Sequence, residues 1–136
     1  MTCKSGTKRI REKKIAGYLL LLLLVVFIVG ALIPGAWRNT LEKVVGASSS
    51  LASLAHCAFF AGMAALLVAR PLAWPRTRAV LLLLILALLT EGLQFFTIDR
   101  QPDWMDVGFD MTGALGGILA NFVVARFWRK GCMAWF

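Results

Sequence analysis

Four apolar runs alternate with short polar stretches along the chain. The first occupies residues 15–33 and is led by the leucines at 19–24; the others occupy 51–69, 79–96 and 107–127. Each approaches the roughly 20 helical residues that cross a hydrocarbon core. None alternates with period two, and in lipid an isolated run satisfies its backbone only as a helix. The breaks carry helix punctuation. Pro34-Gly35 ends the first run, and Ser48, Ser49 and Ser50 precede the second, where a serine can cap free amides. Pro71 and Pro75 separate the second run from the third. Pro102 lies before the fourth, with Asp103 and Asp106 at its start, where negative charge suits the helix dipole. The pattern predicts an all-α, four-helix transmembrane bundle with short loops over residues 15–128. A basic tail at 1–14 and a short tail at 129–136 flank it, and there is no internal repeat or second domain.

Charge sets an expected orientation. Lys4, Lys8, Arg9, Arg11, Lys13 and Lys14 crowd the first tail, Arg70, Arg76 and Arg78 the middle turn, and Arg126, Arg129 and Lys130 the end. The loops 34–50 and 97–106 share only Arg38, Lys43 and Arg100. Basic residues collect on the cytoplasmic side, so both termini are expected inside and those two loops outside. The basic first tail is expected to lie, poorly ordered, against anionic lipid. Trp37, Trp104, Trp128 and Trp135 fall near the expected interfaces, and Trp74 in the middle turn. The first run is longer than the apolar core of a signal peptide, so it reads as a retained span.

Composition agrees with a membrane setting. Apolar residues make up 60% of the chain and charged residues 16%, against about 45–50% and 25% in soluble domains. The net charge of +8 is then explained by topology and anionic lipid, and no nucleic acid is expected as a partner. Cys3, Cys57 and Cys132 form neither a disulfide framework nor a zinc pattern, and no cofactor is expected.

The residues that need explaining are the polar ones inside the runs or at their mouths: His56, Glu91, Gln94, Asp106 and Asp110. A carboxylate at mid-bilayer costs about 2.5–3.5 kcal/mol on insertion scales, which makes such groups functional candidates. Counting from the expected helix ends puts His56 and Glu91 each about 7.5 Å deep and Asp110 about 4.5 Å deep, all on the outer side. Helical spacing puts Glu91 and Gln94 on one side of the third helix, and Asp106 and Asp110 on one side of the fourth. Gly113 and Gly117 continue the latter side as a seam that lets another helix approach, in the second or third span or in a second copy of the chain. Glu91, His56 and Asp110 are expected to lie close together, whereas Asp99 and Asp103 read as solvated loop charges.

The stretch Glu91-Gly-Leu-Gln94, followed by Arg100-Gln-Pro-Asp103-Trp-Met-Asp106-Val-Gly-Phe-Asp110-Met-Thr-Gly113, resembles the signature of the VanZ-like membrane protein family. His56 with Phe60 is similar to that family's histidine in the preceding helix. The family often has Asn where Asp110 stands, and an Asp-Lys pair before the histidine where this chain has Ala52 to Ala55. The resemblance spans roughly residues 50–120. It implies the bacterial cytoplasmic membrane, the cell envelope and, through the family's namesake, glycopeptide antibiotic resistance.

Two functions are expected from these residues. In the first, an outer-leaflet pocket of His56, Glu91, Gln94, Arg100, Asp106 and Asp110 binds a lipid headgroup, a lipid-linked envelope precursor or a lipid-anchored glycopeptide. Arg100 would there meet phosphate or carboxylate. In the second, a small intramembrane enzyme uses Glu91 as acid or base with His56 as proton partner, and Asp106 and Asp110 as oxygen ligands of a divalent cation. No clear nucleophile is present, which favours binding. A Glu91–His56 proton relay is a third, weaker expectation.

Overall fold

A computed structural model of the chain describes residues 3–33, 37, 40, 43–44, 49–96 and 103–133, with side chains for all of these but 3–6, 49–52 and 128–133. Four long helices make up the fold: α1 (Cys3–Ala31), α2 (Ser49–Val68), α3 (Arg76–Gln94) and α4 (Trp104–Met133). Among the described residues there is no strand. Three of the helices contain segments long and apolar enough to cross a membrane: Thr7–Ala31, Arg76–Gln94 and Trp104–Phe127. The described side chains of α2 form a shorter apolar stretch, Ser53–Val68.

The interior is built from stripes at helical spacing. The buried residues are Phe60, Met63, Ala64 and Leu67 on α2, and Ala79, Leu83, Ala87, Thr90, Glu91 and Gln94 on α3. On α4 they are Asp110, Gly113, Ala114 and Gly117. These intervals of three and four residues place each set on one face. The outward faces are large and apolar: Leu21, Leu22 and Val25 on α1, Leu81, Ile85 and Leu89 on α3, Leu115, Leu119 and Val124 on α4. Unlike a soluble bundle, this one buries polar groups and small residues beside Phe60, Met63, Leu67 and Leu83, and leaves its outer faces large and apolar. Lipid is as apolar as leucine, so helix association there depends on close packing and hydrogen bonds rather than on hiding apolar surface.

Successive helices run antiparallel. Phe27, late in α1, packs edge-on against His56, early in α2, with ring centroids 5.1 Å apart. Arg76, at the start of α3, lies over the ring of Phe122, late in α4, at 5.2 Å. The closest packing is between α4 and α2. A Cβ added at Gly113 would fall on the carbonyl of Cys57, 2.9 Å from its Cα, and one at Gly117 would fall on that of Ala61, 3.0 Å from its Cα. The glycine seam thus serves α2 of the same chain. Of the partners the seam could have met, the second span is the one in contact, and only a missing side chain lets the two backbones come this near.

The element boundaries differ from the sequence reading in two informative ways. The basic tail is helical from Cys3 and continuous with the first span. Lys, Arg and Glu are good helix formers, and no proline interrupts the stretch, so the span propagates its helix backwards. The fourth helix likewise begins three residues early, at Trp104, and continues to Met133. Its start follows from Asp103, whose carboxylate accepts the Met105 N–H at 2.9 Å.

Candidate functional site

All four helices contribute to one end of the bundle. On α2 the imidazole Nδ1 of His56 lies 3.1 Å from Oδ1 of Asp110 on α4, and Asp110 is fully buried. A histidine seven residues into α2 and an aspartate six residues into α4 sit about 10 Å and 9 Å from the helix starts, so they meet at one level. Close contact at Gly113, three residues beyond Asp110, brings the two backbones near enough for this short bond. Phe27 of α1 covers the imidazole.

Glu91 occupies the last turn of α3, about 4.5 Å from its end, nearer the mouth than its expected depth. Its Oε2 accepts the backbone N–H of Asp103 at 2.9 Å. That amide immediately precedes α4, so the carboxylate ties the end of α3 to the start of α4 and lies at the positive end of the helix dipole. Asp103 is therefore more than a solvated loop charge: its amide is held by Glu91 and its side chain caps Met105. Asp106, half-buried, lies one turn before Asp110 on α4. The structure brings His56 and Asp110 into contact and places Glu91 at the same end of the bundle, bonded to the Asp103 amide rather than to the histidine.

The cluster is incompletely satisfied. Glu91 Oε1, Gln94 Nε2 and Asp110 Oδ2 are buried and have no hydrogen-bond partner among the described residues. Gln94, three residues after Glu91 on the same face of α3, is 1% exposed and Glu91 5%. Buried polar groups in folded proteins are nearly always paired, so three such atoms at one end of a small bundle call for a partner. Thr90 has no such need, because its hydroxyl lies within hydrogen-bond distance of the carbonyls of Leu86 and Ala87, 3.0 and 2.9 Å away.

The balance of the cluster is acidic. Its only described cationic candidate is His56, which pairs with Asp110. Arg100 lies outside the described residues, as do Pro34, Gly35, Ser48, Asp99 and Pro102. Among the described residues no three His, Cys, Asp or Glu side chains are placed to hold a metal ion. Two contributors escape a reading of polar residues alone. Phe27 gives no polar signal, and Asp103 is recognisable only through its position just before an aromatic helix start. No family model, curated protein or solved structure matches the chain.

Proposed function

We propose that this is a VanZ-like multi-pass protein of the bacterial cytoplasmic membrane, with both termini inside. In this reading the polar end of the bundle opens to the outer leaflet and binds a headgroup, that of a lipid, a lipid-linked envelope precursor or a lipid-anchored glycopeptide. The observation that carries the reading is the set of three buried polar atoms on Glu91, Gln94 and Asp110 that have no partner among the described residues. The Glu91-to-Gly113 pattern supports the family and, with it, a role at the cell envelope. Around the cluster, Phe95, Phe96, Trp104 and Met105 are exposed, a rim suited to the glycerol and upper acyl region of an amphiphile.

Lipid retention tests this. Protein purified in mild detergent is extracted, and its bound lipid is quantified by mass spectrometry beside Asp110→Asn and Gln94→Leu. Both variants are expected to retain less lipid per protein. Equal retention by all three would refute the pocket.

The His56–Asp110 pair favours a second reading, because a carboxylate that orients an imidazole is a recurrent acid–base device. Glu91 and His56 would then act on an envelope lipid. Turnover of labelled envelope lipids that is abolished by His56→Gln would establish this reading over simple binding.

A further inference from the structure

We infer that the cluster's ligand presents a primary ammonium group carried on an amphiphile, such as the head of an aminophospholipid. The inference rests on the headgroup-binding reading above and specifies its chemistry. Two of the three unpartnered atoms, Glu91 Oε1 and Asp110 Oδ2, are carboxylate oxygens that accept hydrogen bonds; the third, Gln94 Nε2, donates them. Asp106 lies one turn before Asp110 on α4, and the cation described among these groups is His56, already bonded to Asp110. The complementary group must therefore bring positive charge and at least two N–H donors, with an acceptor oxygen within reach of the Gln94 amide.

An ammonium supplies three donors in a compact head. A phosphate ester two carbons away supplies the acceptor. A trimethylated ammonium has the same charge but no N–H, so it cannot satisfy carboxylate oxygens by hydrogen bonding. A headgroup without nitrogen brings neither charge nor donors of this kind. The apolar rim of Phe95, Phe96 and Trp104 argues for an amphiphile over a free amine, since these side chains are exposed where tails would lie.

Native mass spectrometry of the full chain tests this with phosphatidylethanolamine, phosphatidylcholine and phosphatidylglycerol of identical tails. The ethanolamine lipid is expected to be retained about tenfold over either of the others, the equivalent of one charge-assisted hydrogen bond. That preference should collapse in Glu91→Gln and Asp110→Asn. Glu91→Gln keeps an oxygen acceptor for the Asp103 amide, and helix content by circular dichroism verifies that both variants fold. The comparison among lipids on the unaltered protein needs no variant. Equal retention of all three lipids that still falls in Asp110→Asn would overturn the ammonium inference while leaving headgroup binding intact. Equal retention unaffected by either substitution would remove both. Displacement of the bound lipid by soluble phosphoethanolamine at equal concentration would overturn the amphiphile half of the inference.

Discussion

Oδ1 of Asp110 and Nδ1 of His56 lie 3.1 Å apart, joining α4 to α2 across 54 positions of sequence. The pair sits where the two helices already approach closely, so the bond adds specificity to a contact that backbone packing creates.

Its strength is measurable by a double-mutant cycle on unfolding in detergent, using His56→Ala, Asp110→Ala and the pair. Interhelical hydrogen bonds in membrane proteins contribute on average about 0.6 kcal/mol and reach about 1.7 kcal/mol. A coupling energy toward the upper end is expected, because Asp110 is fully buried and has no other described partner. A coupling of zero would mean that the two side chains do not meet in the folded protein.

The glycine seam yields a prediction with an internal control. Gly113→Ala and Gly117→Ala each place a methyl group on an α2 carbonyl that cannot move without shifting the helix. Overpacking of this kind costs about 1–3 kcal/mol, read as a lower melting temperature. Gly116→Ala lies on the same helix with nothing within 4 Å of the new Cβ, and should leave melting unchanged or raise it slightly. Equal effects at all three positions would refute the packing of α4 on α2.

Much of this arrangement is legible in sequence because the solvent simplifies the problem. A membrane leaves helix as the only form for a long apolar run, so the four elements follow from hydropathy, and the polar exceptions Glu91, Gln94 and Asp110 follow from their cost in lipid. Counting residues between runs puts them at the same end of the bundle, but their depths follow from the helix limits, which leave Glu91 nearer the mouth and Asp110 deeper. The partner of the seam is not legible, since Gly113 and Gly117 would fit any helix of suitable surface, and only the fold selects Cys57 and Ala61. Helix limits are also obscured, because hydropathy marks where lipid ends and not where the backbone stops coiling. The basic residues after Cys3 and beyond Arg126 are as compatible with helix as with coil. The bond from the Asp103 amide to Glu91 is hidden for a different reason: a backbone donor carries no side-chain signature.

That bond separates two roles of Glu91. Glu91→Gln keeps an oxygen that accepts the Asp103 N–H, and should alter melting by less than Glu91→Leu. The leucine leaves the amide and the start of α4 without this acceptor, a loss of about 1–2 kcal/mol for a helix-terminal bond. Both substitutions remove the charge. Equal melting temperatures would show that the charge, and not the hydrogen bond, is what Glu91 contributes to the fold.

Orientation decides whether the polar end can meet outer-leaflet molecules at all. Twelve of the fifteen basic residues fall in the two tails and the turn between α2 and α3, and the remaining three in the loops at the end that carries His56 and Glu91. Lys and Arg near span ends are retained on the cytoplasmic side, so this asymmetry predicts that Glu91 and the start of α4 face outward. Single cysteines report the outcome in a background where Cys3, Cys57 and Cys132 are replaced by alanine. Arg9→Cys, Arg78→Cys and Met105→Cys all occupy exposed positions. On intact cells a membrane-impermeant maleimide should label Met105→Cys alone, and the other two only after permeabilisation. The reverse pattern would turn the cluster toward the cytoplasm, where its ligand would have to come from the inner leaflet. Labelling of Met105→Cys and Arg78→Cys from the same side would contradict the antiparallel course of α3 and α4, which the Arg76–Phe122 contact at one end and the Glu91–Asp103 bond at the other require.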